Sequence, residues 1–180
     1  FKDEKTLTKV RSIWNDVDER FKNTLKGERI TMALELSGGP LKVGDIFPYD
    51  TDVYDIHGYC RSLSQFKGKQ MLLYFNSYGC KPCVDAKKEL AELADSMKDM
   101  IEIIGLNVDA PDVWKGKGQN TTVDWYDFNE LKRSYGLSSR LDAMGIPTFM
   151  IVSEGGRILD VWAGYREGII TERINEALNQ

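Results

Sequence analysis

The stretch Tyr78-Gly79-Cys80-Lys81-Pro82-Cys83 carries two cysteines separated by two residues, a spacing that suits dithiol chemistry. The apolar run Met71-Leu72-Leu73-Tyr74-Phe75-Asn76 before it has the length and flanks of a buried parallel strand. After it, Val84, Leu90, Leu93 and Met97 recur at helical spacing with charges between them. Strand, turn and helix in that order put Cys80 at the exposed start of the helix. Unpaired backbone N–H groups and the positive end of the helix dipole favour a thiolate there, and the thiolate is the reactive form. Cys83, one turn inside, is placed to attack a mixed disulfide formed at Cys80. Pro82 suits the first helical turn, where its missing N–H would have had no partner.

Other chemistries use the same residue types. His57-x-x-Cys60 precedes the pair by nineteen residues, an interval in the zinc-ribbon range, and all four side chains can ligate zinc. Against this, a ribbon would not run a strand-like segment into a long amphipathic helix, and a chain of this size needs no metal to hold a core. A purely structural disulfide is a third reading. Far downstream, Met144-Gly145-Ile146-Pro147-Thr148-Phe149-Met150-Ile151-Val152 places a proline at the start of another apolar strand, a position suited to a cis bond.

Together these motifs resemble the thioredoxin superfamily, with a CxxC after the first core strand and a Gly-Ile-Pro-Thr loop before the third. In that family the proline is cis, packs beside the disulfide, and its neighbour's backbone pairs with the substrate chain. The resemblance implies Cys80 and Cys83 as catalytic residues, with Tyr78, Gly79, Lys81, Pro82, Ile146 and Pro147 as substrate-binding positions. The phrase Val43-Gly44-Asp45-Ile46-Phe47-Pro48, followed by Asp55 to Lys69, is similar to the opening of TlpA/ResA-like thioredoxins and of peroxiredoxins. Those TlpA-like proteins are extracytoplasmic thiol–disulfide oxidoreductases, usually tethered to a membrane. The implied function is a disulfide reductase of the periplasm or cell envelope, acting on protein or small-molecule disulfides. Its electrons would come from a reducing donor, either free or membrane-bound, with no cofactor and no metal.

Several positions depart from the family. Thioredoxin's buried Asp falls at Tyr74 and the ResA-like Glu at Ala86, so the proton-transferring group is unassigned. Asp85 and Glu89 read as solvated surface charges, and Tyr74 as core packing. Lys81 adds a positive charge beside Cys80, which either stabilises the reduced form or, exposed, is screened by water and does little. A proline as second intervening residue, as in the reducing thioredoxins, argues against a strong DsbA-like oxidant. Cys60 reads most simply as a small buried hydrophobe, or as a partner thiol for the site. His57, the one histidine, reads as a turn residue. It raises a copper-chaperone (Sco-like) alternative, but that family uses CxxxC. A peroxiredoxin would need proline where Leu73 stands, although Ser77 is correctly placed. A zinc or copper module, a peroxiredoxin-like thiol peroxidase and a plain interaction domain remain the alternatives.

The 180 residues suffice for one domain with an appendage. A net charge of −4 offers no basic field for nucleic acid. No apolar run is long enough for a membrane helix, and three cysteines do not make a disulfide-stapled scaffold. Without an initiating Met or signal peptide, the chain reads as a mature or trimmed form, with any anchor upstream. Leu7–Leu25 is predicted as a helix, Thr6 its N-cap and Gly27 its terminator. Alternation over Arg29–Leu36 predicts a strand, broken at Ser37-Gly38-Gly39-Pro40. A hairpin turned at His57-Gly58 leads to the core strand and the CxxC helix. Ile101–Asp109 is the next parallel strand, Ala110–Gln119 a loop and Asp124–Tyr135 a helix. A hairpin of Thr148–Val152 with Arg157–Ala163, turned at Gly155-Gly156, and a helix over Gly168–Leu178 complete the chain. The expected fold is an α/β thioredoxin fold over 41–180, a central mixed sheet with helices on both faces. Residues 1–40 form an N-terminal helix and strand extension.

Overall fold

The computed structural model describes residues 4–35, 40–118, 123–131, 136–141 and 145–179. Among them, seven strands form one mixed sheet: β1 (Asp52–Tyr54), β2 (Cys60–Ser62), β3 (Met71–Asn76), β4 (Glu102–Asn107), β5 (Tyr126–Asn129), β6 (Thr148–Val152) and β7 (Ile158–Ala163). Their order across the sheet is β2-β1-β5-β4-β3-β6-β7. Every residue of β3 is buried, as expected of a strand covered on both faces. It pairs in parallel with β4, Met71 opposite Glu102, and antiparallel with β6, Phe75 opposite Thr148. The β1–β2 hairpin stands at the far edge, with Gly58 supplying a φ of +86° in its turn.

Alternation in the central strands sorts the core into two layers. Leu72 and Tyr74 face one side with Ile103, Phe149, Ile151 and Trp162. They are covered by helices α4 (Lys81–Ser96) and α6 (Ile169–Leu178), through Ala86, Leu90, Leu93, Ile170 and Ile174. Met71, Leu73 and Phe75 face the other side with Ile104, Leu106 and Phe128. Phe47, Tyr49 and the helical turns Leu63–Phe66 and Leu137–Arg140 close that layer. Ser62 caps the first of these turns by accepting from the Ser64 N–H, as expected from its place in the sequence.

Several local expectations are corrected. The single helix over Leu7–Leu25 is divided into α1 (Glu4–Asn15) and α2 (Glu19–Lys22), and Asp18 starts the second by accepting from the Arg20 N–H at 2.8 Å. Thr6 therefore lies inside α1. The strand expected over Arg29–Leu36 is instead helix α3 (Leu25–Glu35), Leu36 itself lying outside the described residues. A helix satisfies its own backbone without a neighbouring strand, and this one packs on α1. Trp14 Nε1 donates to Thr31 Oγ1 at 3.2 Å, and Arg11 donates to the Leu34 carbonyl. Gly27 belongs to α3 rather than ending the helix before it; a Cβ there would meet the Phe21 and Lys22 carbonyl oxygens at 2.2 and 2.5 Å.

The loop expected over Ala110–Gln119 contains α5 (Pro111–Gly118), which starts on proline and ends near Lys115 and Lys117, matching the helix dipole. Trp114 anchors it in the interior, too short a helix to show periodicity. The helix expected over Asp124–Tyr135 is β5 as far as it is described, parallel to β4, with residues 132–135 outside the described set. Trp125, Phe128 and Leu131 fit a helical period, but Tyr126 and Phe128 also alternate with Asp127 and Asn129. The open edge of β4 selects the strand. No helix among the described residues is long and apolar enough to cross a membrane.

Glu89 corrects another expectation. It is buried on the stripe of α4 shared by Ala86, Leu90 and Leu93. Its carboxylate accepts from the Gly168 N–H at 3.1 Å, the Thr171 N–H at 2.8 Å and Thr171 Oγ1 at 2.7 Å. The cap residue of α6 is a glycine without a side chain to serve its first turn, so a residue of α4 does so. Glu89→Ala is expected to cost about 2 kcal/mol of stability, read as a lower denaturant midpoint, with Glu89→Gln intermediate.

Candidate functional site

The end of β3 delivers the chain into a tight turn and then into α4, with Cys80 as the cap residue of the helix. Cys80 and Cys83 are joined as a disulfide, their Cα atoms 5.2 Å apart. The two sulfurs have different surroundings. Cys83 is 1% exposed and lies in the layer between sheet and helix, whereas Cys80 is only half-buried. Cys80 Sγ lies 3.2 Å from the Cys83 N–H, a donor at the helix start, and 3.6 Å from the Ile146 carbonyl oxygen. The Ile146–Pro147 peptide is cis. Pro147 is buried, and its carbonyl accepts from the Gly164 N–H at 2.7 Å, tying this loop to the end of β7.

The structure thus brings together Cys80, Cys83 and Ile146, with Pro147 next in the chain. Tyr78 is half-buried, and Gly79, Lys81 and Pro82 are exposed around the reactive turn. Lys87, one helical turn after Cys83, holds Nζ 5.3 Å from the centre of the Tyr78 ring.

Cys60 and His57 are elsewhere. Cys60 is exposed on β2, not buried, because that short strand lies at the sheet edge and covers nothing. Strands β1, β5 and β4 stand between it and β3. The arrangement supports neither a partner thiol nor a four-ligand zinc site with Cys80 and Cys83. Among the described residues, no group of three or more His, Cys, Asp or Glu is arranged to hold a metal. His57 is exposed in the hairpin turn, its N–H donating to Asp55 Oδ1 at 3.0 Å.

Two layers beneath the cysteines were not assigned from sequence. The upper one is a row of buried amides, Asn76, Asn107 and Asn129, in register on β3, β4 and β5. Asn107 Nδ2 donates to Asn76 Oδ1 at 3.2 Å, and Asn107 Oδ1 accepts from the Asp109 N–H at 2.8 Å. Asn129 Nδ2 donates to the Asp109 carbonyl at 3.0 Å. So fixed, the Asp109 carboxylate accepts from Ser77 Oγ at 2.6 Å and from the Tyr78 N–H at 2.8 Å. Ser77 Oγ in turn accepts from the Gly79 N–H at 3.2 Å. One carboxylate, set by the sheet, holds the turn that presents Cys80.

The layer below runs Trp162, Phe149, Tyr74, Gly105, Asp127 across β7, β6, β3, β4 and β5. The Trp162 and Phe149 rings stack at 5.0 Å, and the Phe149 and Tyr74 rings at 5.2 Å. Tyr74 is more than packing, because its hydroxyl donates to the Cys83 carbonyl at 2.7 Å. Burial, with the charge of Asp127 adding to it, pushes the Tyr74 phenol far above its ordinary range. Burial also pushes Asp127 up to about 6, partly opposed by the positive charge of Lys87. Asp127 stands between Tyr126 and Phe128 in a strand, and that alternation was the signal that could have shown its inward direction.

A thioredoxin-like family model matches residues 68–158, half of the chain, and the protein belongs to that family. It is 28% identical over 117 residues to the thioredoxin-like protein YneN of Bacillus subtilis, covering 64% of this chain and 68% of that one. The thioredoxin domain of a thiol-disulfide oxidoreductase from Bacteroides vulgatus superposes with a TM-score of 0.61 at 24% identity, over 76% of this chain and 97% of that domain. The exposed lipoprotein thioredoxin of Streptococcus pneumoniae gives a TM-score of 0.61 at 16% identity, over 69% and 97%. These likenesses show the fold.

Asp109→Ala is expected to release the Ser77–Gly79 turn and misplace Cys80. The alkylation rate of the reduced protein at Cys80 should fall by about tenfold, with Asp109→Asn, which keeps one acceptor, losing less. Peptide mapping after a timed iodoacetamide pulse separates Cys80 from Cys60.

Proposed function

We propose that this protein is a thiol–disulfide oxidoreductase of the TlpA/ResA-like kind, acting as a disulfide reductase through Cys80 and Cys83. The single observation that carries the proposal is the unequal placing of the two sulfurs on one helical turn. Cys80 has access, the helix N-terminus and a neighbouring backbone carbonyl in the Pro147 loop; Cys83 is sealed beneath it. An accessible sulfur at a helix start is the better nucleophile, and a sealed one can be reached only by its neighbour. In the proposed cycle the Cys80 thiolate attacks a substrate disulfide, forming a mixed disulfide and releasing one substrate thiolate. Cys83 then attacks Cys80 Sγ, closes the Cys80–Cys83 bond and releases the second substrate sulfur. A reducing donor returns the dithiol. Tyr78, Gly79, Lys81, Pro82, Ile146 and Pro147 form the substrate rim, with the Ile146 backbone as the pairing edge for an extended substrate segment.

The proposal extends to place and organisation. Membership of the family, together with likeness to an exposed lipoprotein thioredoxin, supports an extracytoplasmic location. Residues 41–180 are the redox domain and residues 1–40, which carry α1, α2 and α3, an appendage to it.

Trapping tests the roles. Cys83→Ser should accumulate mixed disulfides through Cys80 when the reduced protein meets insulin or an envelope extract, whereas Cys80→Ser should accumulate almost none. Trapping in the opposite pattern, or no insulin reduction by the intact protein, overturns the assignment. Lys81→Gln removes a positive charge from beside the Cys80 thiolate and so weakens the reduced state. Its reduction potential should become more negative by less than about 30 mV, as measured by glutathione equilibration at low salt.

A further inference from the structure

Resolution of a mixed disulfide requires Cys83 to lose a proton, yet Cys83 is enclosed between sheet and helix. The groups around it narrow the acceptors. Tyr74 faces it from β3, but that hydroxyl already donates to the Cys83 carbonyl, and the phenol is held far from ionising. Lys87 faces the same space from α4 and carries a positive charge. Strand β4 contributes Gly105, which has no titratable group. From β5 comes Asp127, whose carboxyl fills the space that Gly105 leaves open. A Cβ on Gly105 would lie 3.0 Å from Asp127 Oδ1, 3.3 Å from Trp125 Nε1 and 3.3 Å from the Tyr126 carbonyl oxygen. The register Tyr74–Gly105–Asp127 across three strands sets this carboxylate beside the phenol that touches Cys83.

We propose that Asp127, lodged over Gly105 and acting across the Tyr74 layer, takes the proton of the Cys83 thiol in the resolving step. This rests on the dithiol reading given above. The Cys83 S–H bond breaks and its proton passes to the Asp127 carboxylate. The thiolate attacks Cys80 Sγ, the Cys80–Cys83 bond forms, and the bond from Cys80 to the substrate sulfur breaks. That sulfur leaves as a thiolate with the electron pair and is protonated from solvent, to which Asp127 then returns its proton. A carboxylic acid titrating near 6 is closer to a thiol than an ordinary carboxylate is, which suits it to the exchange. The positive charge of Lys87 favours its ionised form.

The test uses Ellman's reagent as substrate, in a Cys60→Ser background that removes the exposed third thiol. Attack by Cys80 releases one thionitrobenzoate and resolution by Cys83 releases a second, so stopped flow reads the two steps separately. Asp127→Asn should slow the second release about 100-fold at pH 7 and remove its inflection near pH 6. The first release should stay within about twofold, and Asp127→Glu should recover part of the second. Gly105→Ala, which leaves no room for the carboxyl, should slow the second release as well. Folding serves as a control with its own sign. Asp127 titrates higher folded than unfolded, so its ionisation lowers stability as pH rises from about 4 through 6. Asp127→Asn should lack that fall and remain at least as stable at pH 7. An unchanged rate and pH profile for the second release in Asp127→Asn overturns the proposal. A wild-type protein that releases no second thionitrobenzoate overturns the dithiol reading itself.

Discussion

Two sulfurs three residues apart can bond only where the backbone coils, and in this protein the first turn of α4 holds their Cα atoms 5.2 Å apart. The surrounding architecture follows from that turn having one wet side and one dry side. The dry side needs a strand below it without polar edges, and β3 has every residue buried. The wet side needs a turn that exposes Cys80 without letting it wander. Ser77 and Tyr78 are therefore held by Asp109, which is held by the amide row at the ends of β3, β4 and β5. Buried amides in a sheet are costly unless each finds a partner, and here they serve one another and a carboxylate at once.

What the sequence makes legible, and what it hides, divides along the same line. Cys80, Cys83, Pro147 and the strands carrying them are local signals, readable from spacing and apolar runs within a dozen residues. The roles of Asp127 and Glu89 are not local. Asp127 draws its surroundings from Tyr74 and Gly105 on other strands, and its segment carries a three-residue apolar spacing that mimics a helix. Glu89 sits on the buried stripe of α4, so its direction is visible in the periodicity. Its partners Gly168 and Thr171 come from the far end of the chain, and without them a glutamate reads as solvated. Alternation misled at Ile30–Leu34 for a related reason: a strand needs a neighbour that the sequence window does not contain.

The position of Tyr74 shows how a fold tolerates exchange of an acid for an aromatic. Its ring extends the stack of Trp162 and Phe149, while its hydroxyl reaches the backbone of the cysteine turn. The adjacent glycine on β4 leaves room for a carboxyl from the next strand. Asp127, two strands away, lies in the same layer and is set there by the sheet register.

The capping of α6 by Glu89 also bears on the order of events during synthesis. The helix that carries the cysteines is tied at its middle to a helix made from the last residues of the chain. Strand β3 likewise needs β6, which is translated long after it, as its second neighbour. A ribosome-bound chain that has emerged only through α4 therefore presents both thiols on an unsupported helix. Their inequality, one open and one sealed, arises only once the C-terminal elements have docked. Until then the pair are ordinary cysteines, open to whatever disulfides the nascent chain encounters.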